Sequence, residues 1–226
     1  MHDERDTGPH VHHDHVHGPD GPSPDDLPLD TEWEFLERAL SLLLVETGVI
    51  EEADVQRQMD FMDSRNTALG ARVVARAWTD DAFRYRLIER PKETLRAEMD
   101  IDLGTLAELE VVENTEENHH IVVCTLCSCY PRNLLGIPPA WYKSREYRSR
   151  IVYEPRKVLK EFGTILPANM TVIVLDSTAD LRDLVIPRRP EGTESWSTEE
   201  LVNLVSRDSM IGTAEAGKPE VNRVSN

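Results

Sequence analysis

Residues 122–131 read VVCTLCSCYP, and the three cysteines of the whole chain, Cys124, Cys127 and Cys129, fall within six positions. HIVVC (120–124) reads as a short strand that runs straight into them. The sulfurs therefore sit in a loop at a strand end. Three thiolates spaced C-x-x-C-x-C converge on one metal only if the chain curls tightly. Cys127 and Cys129, one residue apart, place two sulfurs and the intervening backbone nitrogens in one neighbourhood. If the amides of Ser128 and Cys129 lose their protons, the loop offers five donors and leaves a sixth position for water. That set is strongly electron-donating and suits a trivalent low-spin iron or cobalt better than zinc. Two other uses stay open on spacing alone. A structural zinc needs four ligands, and His119 or His120 would be the fourth. A thioredoxin-like C-x-x-C uses Cys124 and Cys127 and leaves Cys129 idle.

Outward from the loop, helix and strand signals mix. LEVVEN (109–114) reads as a strand joined to the next by the polar turn Thr115–Asn118, and TVIVLD (171–176) and LRDLVIP (181–187) are further strands. PPAWYKSREYRSRIV (138–152) and PRKVLKEFG (155–163) read as helices, with Pro139 and Pro155 at first-turn positions and Gly163 as a stop. SWSTEELVNLVSRD (195–208) reads as a helix with a capping box from Ser197 to Glu200. Upstream, a helix opens near Asp30–Thr31 and carries Trp33, Leu36, Leu40, Leu43 and Leu44 to Gly48. Ala53–Met62, a segment through Ala71, Val73, Val74, Ala75 and Trp78, and Ala82–Ile88 follow, and Pro91 restarts the chain. The expected class is α+β. A His/Asp-rich tail covers 1–30, a helical arm 31–100, a layered α/β sandwich carrying the loop 101–213, and a flexible tail 214–226. No internal repeat is visible.

Bulk properties narrow the function. The chain has 226 residues, 39% apolar, and a net charge of −17. Residues 1–32 hold nine acids against Arg5 alone. Such a surface repels phosphate backbones and argues against nucleic acid. No apolar run approaches the ~20 residues of a membrane span, and no secretory pattern opens the chain. A cytoplasmic protein is expected, with its thiols reduced. Six of the eight histidines, His2, His10, His12, His13, His15 and His17, lie in the first 17 residues. They suit loose binding of a divalent transition metal, or form a solvated tail.

VCTLCSC (123–129) with Tyr130–Pro131, then PPAWYKS (138–144), EYRSRIV (146–152), EPRKVL (154–159), PEGTESWSTEEL (190–201) and RDSMIG (207–212), resembles the α subunit of nitrile hydratase. The same family holds the γ subunit of thiocyanate hydrolase. The resemblance runs from about Trp33 to Thr213 and sets structural zinc aside. It implies a non-corrin metal on the sulfurs of Cys124, Cys127 and Cys129 and the backbone nitrogens of Ser128 and Cys129. Thr125 stands where cobalt-type members carry Thr, which implies Co(III), with Fe(III) as the alternative. It implies that Cys127 becomes a sulfinic and Cys129 a sulfenic acid. A β-type partner subunit would supply arginines to those anionic sulfurs, and a metallochaperone or activator would load the metal. The implied reaction adds water across a C≡N bond, nitrile to amide, with the sulfenate oxygen of Cys129 as candidate nucleophile or base.

Two positions depart from that pattern. Arg132 stands where nitrile hydratases usually carry a pocket Trp. The stretch DLGTLAEL (102–109) lacks the Gln they usually carry near the active site, and Thr105 is the nearest polar residue. A guanidinium favours an anion. Cys129, Cys127 and Arg132 are thus the catalytic candidates. A thiocyanate hydrolase γ-type subunit, giving carbonyl sulfide and ammonia, is the alternative. A non-catalytic metal-binding or assembly protein is a further one. Arg148 and Arg150 are expected in packing and ion pairs. Trp141 and Tyr142 are expected in core or interface, and Tyr130 under the loop or in the pocket. His119 and His120 are expected to face solvent or the edge of the core rather than the metal.

Overall fold

The computed structural model describes residues 31–104 and 107–219. The His-rich tail and Thr105 lie outside the described residues. The class is α+β.

α1 (Thr31–Glu46) and α2 (Glu52–Asp63) come first, with Gly48 at φ +69° in the turn between them. Leu36, Leu40 and Leu43 on α1 remain more than half exposed. α3 (Thr67–Thr79), α4 (Asp81–Glu89) and α5 (Pro91–Met99) each begin on a recognisable signal. Asn66 accepts the Ala68 N–H, Asp80 accepts the Phe83 N–H, and Pro91 opens α5 where no N–H is needed. Glu98 ties the three together through Arg76 (2.8 Å) and Arg86 (2.7 Å). Val73, Val74, Ala75 and Ala77 of α3 are fully buried in one core that runs on to Ile211.

Four strands follow: β1 (Glu108–Glu113), β2 (Asn118–Val123), β3 (Thr171–Asp176) and β4 (Leu181–Ile186). β1 and β2 are joined by the expected polar turn, yet they do not pair with each other. β1 runs parallel to β4, from Glu108 opposite Leu181 to Glu113 opposite Ile186. β2 runs parallel to β3, from Asn118 opposite Thr171 to Val123 opposite Asp176. Parallel partners need a long crossover. For β2 and β3 it contains α6 (Arg132–Leu135), α7 (Ala140–Lys143), α8 (Arg145–Tyr153) and α9 (Pro155–Glu161).

Two expected helices are each broken in two by a serine. Ser144 interrupts 138–152 in an extended conformation. Its hydroxyl donates to the Trp141 carbonyl (2.8 Å) and accepts the Tyr147 N–H (3.2 Å). Ser206 likewise separates α10 (Thr198–Val202) from α11 (Arg207–Ile211). The Ser197–Glu200 capping box forms as read. Gly212 ends α11 at φ +88°, and a Cβ there would lie 1.9 Å from the His120 carbonyl oxygen. Among the described residues no helix is long and apolar enough to cross a membrane.

His119 locks β2 to that turn. It is 3% exposed, with Nε2 2.7 Å from the Gly212 carbonyl and Nδ1 3.3 Å from Asn114 Nδ2. Asn114 Oδ1 is occupied by the His120 N–H (2.7 Å), so the amide turns its donor toward His119. The ring must therefore be neutral, donating from Nε2 and accepting at Nδ1. Burial holds His119 below its ordinary 6.5, against the Gly212 carbonyl and Glu215, which favour the charged ring, and with Arg156, which opposes it. His120 shifts the same way, again mainly through burial. Below pH 6.5 the unfolded chain takes protons that the folded chain resists, so acid favours unfolding. The thermal midpoint should fall as pH drops from about 6.5 through the lowered folded values. His119→Gln, which keeps a donor for Gly212, should flatten that fall.

Candidate metal centre

The cysteine loop leaves β2 at the carboxyl end of the β2–β3 pair, where Val123 faces Asp176. The Asp176 carboxylate is therefore in reach of the first loop residues. Its Oδ1 accepts the Thr125 N–H (2.9 Å) and its Oδ2 the Thr125 hydroxyl (2.6 Å). The Ser177 N–H donates to the Val123 carbonyl (2.7 Å), and a buried Ser177–Asp183 hydrogen bond lies beneath. At the far end, the Tyr142 hydroxyl donates to the Cys129 carbonyl (2.7 Å). The Tyr147 hydroxyl does the same for Val122 (2.7 Å). Both tyrosines are buried in an edge-to-face aromatic cluster, Trp141 lying 4.9 Å from Tyr147 and 4.8 Å from Phe162.

Held this way, the loop gathers its sulfurs. Cys127 Sγ lies 3.4 Å from Cys124 Sγ and 3.2 Å from Cys129 Sγ, and all three lie within 4.8 Å of one another. Cys124 and Cys129 are buried, and Cys127 is exposed. The Cys127 N–H points at Cys124 Sγ (3.3 Å), and the neighbouring backbone amides of Ser128 and Cys129 favour the Cys127 thiolate. Hydrogen bonds from Cys129 and Cys124 hold the Cys127 thiol below its ordinary range. Burial, then hydrogen bonds to the other two thiols, pushes Cys129 up to about 12. A bound cation reverses that order, because coordination deprotonates a thiol outright. The donors present fit one compact ion held by three sulfurs and two amides. Among the described residues no His, Asp or Glu joins the cysteines as the fourth protein ligand of a structural zinc.

A cavity of about 190 Å3 lies beside the loop, lined in part by Tyr130, Arg132, Asn133 and Arg182. Arg132 opens α6 and is exposed. Arg182 comes from β4 and acts electrostatically on the Cys129 sulfur. Sequence reading passed over Arg182 and Asp176. Both sit in strands whose pairing no local pattern reveals, though an Asp closing the apolar run TVIVL was a visible signal. Tyr130 is buried against Tyr142 (5.1 Å between rings), and its hydroxyl has no partner among the described residues. Trp141 and Tyr142 are core residues. Arg150 is held by Glu154 and Glu161, each at 2.6 Å. Arg148 lines a groove with Thr125 and Tyr153.

The family model for the nitrile hydratase alpha chain matches residues 31–214. The chain belongs to the nitrile hydratase α-chain family. It is 45% identical over 192 residues to the high-molecular weight cobalt-containing nitrile hydratase subunit alpha of Rhodococcus rhodochrous, covering 84% of this chain and 94% of that one. It is 44% identical over 183 residues to the cobalt-containing subunit alpha of Pseudonocardia thermophila, covering 79% and 88%. Identity is 38% over 194 residues to the thiocyanate hydrolase subunit gamma of Thiobacillus thioparus, covering 81% and 80%. Among solved structures, an Fe-type nitrile hydratase from Comamonas testosteroni Ni1 superposes with a TM-score of 0.77 at 36% identity, covering 84% and 93%. Recombinant thiocyanate hydrolase comprising partially modified cobalt centres gives 0.78 at 37%, covering 83% and 91%.

In this nitrile hydratase-family chain the loop is shaped from outside by Asp176. Residues that orient metal ligands without touching the metal are typically worth about 10- to 100-fold in metal affinity. Asp176→Ala removes both acceptors of Thr125. Metal affinity of the assembled protein should fall by about that factor, read by elemental analysis after dialysis against a chelator.

Proposed function

We propose that this chain is the metal-bearing subunit of a hetero-oligomeric hydro-lyase that adds water across the C≡N bond of an organic nitrile to give an amide. The observation that carries this is the convergence of three sulfurs within 4.8 Å of one another. The same donors suit a trivalent ion, and Thr125 with the cobalt-containing relatives favours cobalt over iron.

When bound, the metal supplies Lewis acidity toward a nitrile nitrogen or a water. Everything else in the step belongs to protein groups. Cys127 and Cys129 are the sulfurs that dioxygen would oxidise, Cys127 by four electrons to the sulfinic and Cys129 by two electrons to the sulfenic acid. The oxygen on Cys129 serves as nucleophile toward the nitrile carbon or as general base toward an attacking water. Tyr142 and Asp176 fix the loop at its two ends, so that oxygen is aimed before substrate arrives. Cys127 and the loop tip are exposed here. A β-type subunit closes that face, excludes water and places arginines on the oxidised sulfurs. An activator protein loads the metal in the cytoplasm, where the thiols are reduced.

One observation favours a second reading. Arg132 lines the cavity where an aromatic side chain would suit a neutral nitrile, and thiocyanate is an anion with a C≡N bond. The chain would then be a γ-type subunit releasing carbonyl sulfide and ammonia. Identity of 45% to a cobalt-containing nitrile hydratase subunit, against 38% to the thiocyanate hydrolase subunit, supports organic nitriles as the first choice.

Co-expression with the partner and cobalt tests the assignment. Loop peptides should carry two oxygens on Cys127 and one on Cys129, and nitriles should be hydrated to amides. Cys129→Ala should lower kcat by more than about 100-fold. Carbonyl sulfide from thiocyanate in place of amide from nitriles would establish the second reading. An unoxidised loop in the cobalt-loaded complex would remove both.

A further inference from the structure

The cavity beside the loop carries an unbalanced charge. Arg132 makes no side-chain hydrogen bond or ion pair among the described residues. Arg182 spends Nη1 on the carbonyls of Thr178 and Leu181, the latter at 3.2 Å, while its Nε and Nη2 make no hydrogen bond among the described residues. The one carboxylate lining the cavity, Glu108, is already paired with Lys92 at 3.3 Å. Two guanidinia therefore share one pocket with no free acid to offset them. Leu103, Leu109 and Leu134 make the rest of the wall apolar.

We propose that this pocket selects an organic nitrile that also carries a carboxylate, with the carboxylate held by Arg132 and Arg182 and the methylene chain lying against the leucines. The proposal deepens the hydration reading and rests on it. Arg182 is half-buried with donors left free, which is costly, Arg132 is exposed beside it, and a carboxylate matches the fork of donors on either. A neutral nitrile satisfies the leucines and leaves both arginines unmatched. Thiocyanate satisfies the charge, but with three atoms it leaves the apolar wall bare. A carboxylated nitrile satisfies both. Its reaction is balanced without any further reagent. The water oxygen forms the new bond to the nitrile carbon, both water protons end on nitrogen, and the carboxylate passes through unchanged.

The test uses the cobalt-loaded heteromer and three substrates: 4-cyanobutyrate, its neutral isostere 5-methylhexanenitrile, and thiocyanate. 4-Cyanobutyrate should have the highest kcat/KM, by about tenfold or more over the isostere, as expected for charge-assisted hydrogen bonds. That advantage should shrink as salt rises. Arg132→Gln should collapse the ratio by raising KM for 4-cyanobutyrate more than it lowers kcat, and Arg182→Gln should act in the same direction. Butyrate, which has no C≡N group, supplies a readout free of turnover. Calorimetry should show it binding the heteromer and binding at least about tenfold more weakly to Arg132→Gln. Butyrate binding through the arginines without turnover of any nitrile would overturn the hydration reading and leave the anion seat standing. Hydration of the neutral isostere at an equal or higher kcat/KM, a ratio untouched by both substitutions, or preferred turnover of thiocyanate would overturn this inference alone.

Discussion

The centre depends on one feature of the β2–β3 ladder, the placing of Val123 opposite Asp176. In a parallel pair both strands end on the same side, so the loop leaving β2 and the last residue of β3 emerge together. That geometry brings a carboxylate from fifty-one residues downstream onto Thr125, and a backbone N–H from Ser177 onto Val123. A slip of one register step would turn Asp176 to the other face and release the loop. Three sulfurs in six residues would supply the ligands. The ladder supplies their curvature.

The other end of the loop is fixed by a different kind of force. Tyr142 and Tyr147 are almost fully buried, and burial raises both hydroxyls well above the ordinary tyrosine range. Each therefore stays protonated and donates to a loop or strand carbonyl. Rings packed edge to face on Trp141 and Phe162 leave the hydroxyls little freedom. An apolar cluster and one directional bond make the Cys129 end rigid, while the Tyr147 bond fixes the strand that leads into the loop.

Local chemistry was legible in the sequence, and long-range pairing was not. The three cysteines announced a compact ligand set because spacing is a local property. The helix start at Ser197 was legible because a cap acts within one turn. β1 and β2 read as neighbours across a polar turn, but adjacency along the chain says nothing of which strand shares a ladder. The breaks at Ser144 and Ser206 were masked by helix-forming residues on both sides, although a serine three residues ahead of a capped amide is the mark of a new start. Arg182 could not be found by spacing. It is separated from Cys129 by fifty-three residues, and only the packing of β2 against β4 brings it to the site.

The global charge and the local charge point in opposite directions. A chain at −17 repels anions at long range. At physiological salt that repulsion fades over roughly 8 Å, whereas a guanidinium in contact with a substrate acts well inside that distance. The field that an entering substrate meets is therefore set by Arg132, Arg182 and the paired state of Glu108, not by the acidic tail or the outer surface. Lys92 matters here although it is remote from the sulfurs. By occupying Glu108 it prevents the one available acid from closing on the arginines, and so keeps the positive charge of the cavity free to act.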